Sequence, residues 1–211
     1  MIAREGWLPI TGVGVVVMAL MLHYGLFWAV PGWMLFAFLL FVYQYPKRDV
    51  PALPLAVVSP VDGRVVTARK MLDPWLERET LCIGIRMNAP GITPIRSPTE
   101  GKVMEFWAHS STCLSTLREG DSVDARVACY ALWVKTDEGD DMVMAVSAGR
   151  ALSRFKSDVA PGERIGQGHR IGFVYLGSQV DVLLPVGTRS HVREGQRTLA
   201  GCGVIATLMH R

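Results

Sequence analysis

The stretch Gly172-Phe-Val-Tyr-Leu-Gly-Ser-Gln-Val-Asp-Val-Leu-Leu-Pro185 is two apolar runs joined by Gly177-Ser178, with no other loop residue between them. Short β-branched and aliphatic runs divided by small residues predict strands, here Ile171–Tyr175 and Val180–Leu184. The same pattern continues in both directions. Further strands are predicted at Leu55–Val58, Arg64–Ala68, Leu81–Arg86, Lys102–Trp107, Val127–Lys135, Met142–Ser147 and Gly203–Leu208, each bounded by Gly, Pro or Asp turns. No long amphipathic helix competes with them. Residues 51–211 are therefore expected to form a mainly β domain, a sandwich or barrel.

Internal echoes sharpen this expectation. Val159-Ala-Pro-Gly162 is repeated 33 residues later as Val192-Arg-Glu-Gly195, and Gly168 recurs as Gly201, each copy turning into an aliphatic strand. Ser59-Pro-Val-Asp62-Gly-Arg-Val is echoed by Ser97-Pro-Thr-Glu100-Gly-Lys-Val. Two related hairpins are expected to pack as halves of one sandwich, although both motifs are also ordinary turn chemistry.

Upstream the character changes. No Asp, Glu, Lys or Arg occurs between Glu5 and Lys47, an uncharged run twice the ~20 residues a bilayer span needs, with Pro31-Gly32 near its middle. The expected organisation is a membrane anchor over residues 1–50, a transmembrane helical hairpin of about 7–28 and 33–45, followed by the β domain. Arg4 before the first helix and Lys47-Arg48 after the second place both ends in the cytoplasm by the positive-inside rule. The run is too long for a cleaved signal peptide. The anchor thus predicts a cell inner-membrane protein with its β domain on the cytoplasmic face.

The net charge of +3 is small and its basic residues are interleaved with acids, which excludes a nucleic-acid binder. Cys82, Cys113, Cys129 and Cys202 form no C-x-x-C pair and have no His at metal spacing, so no metal site is expected and the thiols read as reduced. Taken alone, Gly177-Ser178 reads as a tight turn, and Asp62 as a turn carboxylate capping backbone amides.

Taken together, these motifs carry a resemblance. Ile2-Ala-Arg-Glu-Gly-Trp7, Val58-Ser-Pro-Val-Asp62-Gly-Arg-Val65, Ala148-Gly149, Arg154, Asp158-Val-Ala-Pro-Gly162 and Leu176-Gly177-Ser178-Gln-Val-Asp-Val182 occur in the order and spacing found in the phosphatidylserine decarboxylase family. The chain resembles the short bacterial and archaeal form over almost its whole length. The resemblance implies self-cleavage between Gly177 and Ser178. The serine oxygen attacks the glycine carbonyl, β-elimination frees the upstream chain, and the new terminus hydrolyses to a pyruvoyl group. That group would be the cofactor, derived from Ser178 and forming a Schiff base with the substrate amine. Glycine suits position 177 because the acyl shift needs a closely approachable peptide, and serine supplies the nucleophile.

The resemblance also implies that Asp62 assists self-cleavage and that the substrate is membrane phosphatidylserine or a close amino-acid phospholipid, converted to the ethanolamine lipid. A large and a small fragment of one chain would form a heterodimer, with a homo-oligomer left open. One departure stands out. Where short members carry a histidine in a stretch like D-V-H-V-N-R, this chain has Gly91-Ile92-Thr93-Pro94-Ile95-Arg96. Thr93 cannot act as a base near neutral pH, and Arg96 cannot give up its proton. Three outcomes stay open: His169 or His109 substitutes; Asp62 and water suffice; or the chain is an altered paralogue. The last covers a self-processed enzyme acting on another amine, and an unprocessed membrane-tethered β module. The segment Glu105 to Val127 also departs from the family's substrate loop, and no substrate-binding residue is identified.

Overall fold

A computed structural model describes residues 7–24, 30–37, 51, 53, 55–87, 92–109, 128–148, 154–175 and 179–209. The chain divides into two compact units, Met1–Arg48 and Asp49–Arg211. In the first, helix α1 runs from Trp7 to Tyr24, and residues 30–37 are helical. Among the described residues no helix is long and apolar enough to cross a membrane. This departs from the expected transmembrane hairpin. At about 1.5 Å per residue the 18 residues of α1 reach about 27 Å, under the ~30 Å of a hydrocarbon core. The expected second helix, about 33–45, falls mostly on 38–45, outside the described residues.

The second unit is mainly β. Its strands are β1 (Ala56–Val58), β2 (Gly63–Leu72), β3 (Glu79–Met87), β4 (Ile92–Arg96), β5 (Gly101–His109), β6 (Ala128–Lys135) and β7 (Asp141–Ala148), followed by β8 (Arg154–Ser157), β9 (Arg164–Ile165), β10 (Arg170–Tyr175), β11 (Gln179–Pro185), β12 (Arg189–Ser190), β13 (Arg197–Thr198) and β14 (Val204–Thr207). They form an eight-stranded sheet ordered β13-β2-β3-β11-β7-β6-β5-β9 and two three-stranded sheets, β1-β14-β12 and β4-β10-β8.

The sequence echoes are structural equivalents. Val65 donates to Gln196 O and accepts from Gly195 N, while Val103 donates to Glu163 O and accepts from Gly162 N. Ser59 Oγ bonds Val61 O, and Ser97 Oγ bonds Thr99 O. Gly162 and Gly195 both adopt positive φ, 90° and 87°, which a side chain would strain. The repeated unit is larger than a hairpin, however. Each copy supplies one small sheet and one edge of the large sheet, so the two halves share β11 and β7 at its centre.

Packing follows the strand alternation. Val180, Val182 and Leu184 join a core that also includes Val57 of β1, Ile95 of β4, Val174 of β10 and Ile205 of β14, so both small sheets cover this inner face. Each such side chain, fully buried, contributes about 1.5–3 kcal/mol. The outer face holds a second cluster of Cys82, Cys129, Ala131, Val143, Ala145 and Leu183, flanked by Trp75, Trp107 and Trp133.

Candidate active site

Register places several strand ends at one rim. Gly63 at the start of β2 pairs with Met87 at the end of β3, while Arg86 pairs with Gln179 and Gln179 with Ser147. In the neighbouring sheet Ile92 and Arg154 both pair with Tyr175, the last residue of β10. Gly177 and Ser178 lie outside the described residues, yet their surroundings are bounded: Tyr175 and Gln179 are separated by four Cα steps, at most about 15 Å. β11 is bonded on both sides from its first residue.

Behind that first residue is a pair that lies within the Leu176–Val182 motif but to which the sequence assigns no role. Gln179 Nε2 donates to Asp181 Oδ1 at 2.6 Å. Asp181 is 1 % exposed, and among the described residues its Oδ2 has no hydrogen-bond partner. Gly84, opposite Asp181 on β3, provides the space: a Cβ there would stand 2.6 Å from Asp181 Oδ1 and 3.0 Å from Gln179 Nε2. Burial pushes the Asp181 carboxyl up to about 6, against a smaller lowering by the Gln179 bond. The same burial, with Asp181 adding to it, pushes the Cys82 thiol far above its usual range, so it stays protonated. An acid inside the apolar run Val180–Leu184 was the signal, since an Asp is rarely buried in a core strand unless it is paired.

The raised carboxyl makes stability depend on pH. The folded chain holds the Asp181 proton up to about pH 6, while the unfolded chain releases it near the ordinary carboxyl value of 3.8. Stability from this group is therefore intact below about pH 4 and falls as pH rises to 6, by about 3 kcal/mol. Asp181→Asn, made in an uncut Ser178→Ala background so that unfolding involves one chain, should flatten the denaturation profile over that window. A profile with the same slope as the parent between pH 4 and 6 would show that Asp181 titrates normally.

Asp62 opens β2 half-buried, and its Oδ1 accepts from Ala200 N at 2.8 Å, which is the turn-capping role. It adjoins Gly63, whose absent Cβ would stand 2.2 Å from Arg86 O, so β2 approaches β3 closely at this rim. Thr93 lies half-buried on β4 directly opposite Val174. The position where the resemblance expects histidine is thus paired with the strand that runs into Gly177-Ser178.

The other candidates sort by place. His169 is exposed, at the far end of β10, five residues before Val174 and so about 17 Å from it. It is not beside Thr93. His109 pairs with Cys129, which pairs with Ser147, so its backbone stands three strands from Gln179, about 14 Å. Arg96 is structural. Its Nη1 donates to Gly168 O at 2.8 Å, and a Cβ on Gly201 would meet its Cδ at 2.9 Å. It ties together the equivalent glycine turns of the two repeats. Of the divergent 105–127 segment, only 105–109 are described.

Residues 35–206 match the phosphatidylserine decarboxylase family. The phosphatidylserine decarboxylase proenzyme of Nitrosomonas europaea is 38% identical over 205 residues, covering 97% of this chain and 94% of that protein. The chain belongs to the phosphatidylserine decarboxylase family. The proenzyme of the same name from Nitrosomonas eutropha is 37% identical with the same coverage, and that of Aromatoleum aromaticum 33% over 99% of this chain and 96% of its own length. No solved structure matches. Family membership accounts for the spacing of the quoted motifs.

Proposed function

We infer that this chain is a proenzyme that cuts itself between Gly177 and Ser178 and, in the cut form, decarboxylates phosphatidylserine to phosphatidylethanolamine. The observation that carries this reading is how Gln179 is held. A chain newly ended at residue 178 needs its first residues fixed, and Gln179 is bonded to β3, to β7 and through its side chain to buried Asp181. The downstream 34 residues (211 − 177) include central strand β11, edge strand β13, and β12 and β14 of a small sheet. Separating the fragments would unpair two sheets, which favours a stable heterodimer of large and small chains.

The Gln179–Asp181 pair, packed over Gly84, suits a rigid seat for a terminal pyruvoyl group on Gln179. That group would supply a carbonyl for the substrate amine and an electron sink for the pair left by departing carbon dioxide. Asp62, at the same rim, would assist the cut. The uncharged stretch between Glu5 and Lys47 would hold the enzyme at headgroup level on the inner face of the cell membrane.

Hydroxylamine, or borohydride together with phosphatidylserine, should inactivate the protein and leave its mass increment on the 34-residue fragment. Activity that survives both reagents removes the pyruvoyl group from the reading. Thr93 favours one alternative, a processed enzyme acting on another amine. A chain found as two fragments that releases no carbon dioxide from phosphatidylserine would establish it.

A further inference from the structure

The register that seats Gln179 also aligns three arginines beside it. Arg197 of β13 pairs with Arg64 of β2, Arg64 with Arg86 of β3, and Arg86 with Gln179 of β11. Residues directly opposite one another in antiparallel strands share a face, so the three side chains form one row on the outer face, and all three are exposed. Among the described residues, none offers a carboxylate or a hydrogen-bond acceptor to any of them. Like charges directly opposite are destabilising, and here they occur twice in succession. An ordinary solvated surface would alternate its charges. At about 4.8 Å per strand, Arg86 stands about 5 Å, Arg64 about 10 Å and Arg197 about 14 Å from Gln179.

We propose that Arg86, Arg64 and Arg197 form an anion-binding row that holds the phosphate of the phospholipid headgroup beside Gln179. This rests on the decarboxylase reading given above. In phosphatidylserine the reacting amine is joined to phosphorus through the short chain N–Cα–Cβ–O–P, so a phosphate clamp must lie close to the group that takes the amine. Arg86, one strand from Gln179, meets that requirement. Its planar fork can hold two phosphate oxygens at once, and Arg64 behind it adds charge. Arg197, at the sheet edge, would attract anionic headgroups toward the row. Inorganic phosphate shares this chemistry, so the lipid and the free ion must be separated by experiment.

The test uses full-length protein in neutral detergent micelles containing short-chain phosphatidylserine, with intact mass reporting processing. Arg86→Gln should still give two chains but raise KM at least tenfold, the loss of a charge-assisted hydrogen bond, with a smaller change in kcat. Arg86→Lys should recover part of the loss, and Arg64→Gln should fall between. Raising salt should increase KM more steeply in wild type than in Arg64→Gln.

Tryptophan fluorescence titration with short-chain phosphatidylglycerol, an anionic phospholipid without the amine, reads binding without turnover and should weaken in parallel. If the chain is uncut, the decarboxylase reading fails while this titration still tests the row. A processed Arg64→Gln/Arg86→Gln variant whose KM and phosphatidylglycerol affinity stay within twofold of wild type overturns the proposal. Should that double variant fail to fold, Arg197→Gln serves instead, with a several-fold rise in KM expected and no change overturning. Inorganic phosphate should compete at millimolar concentration in wild type and not in Arg86→Gln. Phosphate binding as tight as the lipid's, with a phosphatidylserine KM indifferent to Arg86→Gln, would make this a free-phosphate site and overturn the headgroup assignment.

Discussion

Ser178→Ala is expected to leave one uncut chain of 23.2 kDa with no decarboxylase activity. The methyl side chain offers no oxygen to the Gly177 carbonyl, so the shift from amide to ester cannot begin and no carbonyl is generated at the new terminus. The effect should be complete rather than graded, because both processing and turnover depend on the same oxygen. The variant should nonetheless fold. β11 is paired to β3 and β7 from Gln179 onward, and its inner side chains Val180, Val182 and Leu184 are buried in the main core. Ser178→Cys should cut slowly, since a thiol can perform the same shift. Intact mass and carbon dioxide release measured on one preparation decide the matter. Fragmentation of the alanine variant after residue 177 would remove Ser178 from its role.

Thr93→His should raise the rate of processing or of decarboxylation by about 10²–10⁴-fold, the usual contribution of a positioned general base. Thr93 is half-buried and stands opposite Val174, four residues before Ser178. An imidazole there would begin at the strand pair that leads into the cut. A gain below tenfold would mean that another group already fills the role, and His109→Ala would then be compared with wild type. His169→Ala should change nothing, because His169 lies about 17 Å along β10 from Val174. If wild type and Thr93→His both remain single uncut chains in membranes containing phosphatidylserine, the tethered β module becomes the better reading.

Much of the strand pattern was legible in the residues themselves. All nine predicted strands exist, because each is a short run dominated by apolar or β-branched residues, as one buried face requires. The strands that were not anticipated lack that signal. β4 contains Pro94, which an edge position in its sheet tolerates. β8, Arg154–Ser157, has Phe155 as its one apolar residue. β9, β12 and β13 are two residues long and owe their pairing to neighbouring strands. The glycine echoes did announce a duplication, since turns at Gly162 and Gly195 that need positive φ leave a residue-level mark.

By itself, then, the sequence determined a mainly β domain with a duplicated plan and its family motifs, because alternation, turn residues and spacing are local properties. The tertiary structure alone decided the neighbourhoods of the strands on either side of the Gly177-Ser178 element. It assigned Arg96 to tying glycine turns, moved His169 away from Thr93, gave Asp62 the Ala200 amide as a partner, and set Asp181 behind Gln179. It also brought Arg64, Arg86 and Arg197 into one row from positions 22 and 111 residues apart (86 − 64; 197 − 86). Pairing between distant strands creates these neighbourhoods, and burial then sets the charge state of an acid such as Asp181. Neither strand register nor burial is a property of any short stretch of residues.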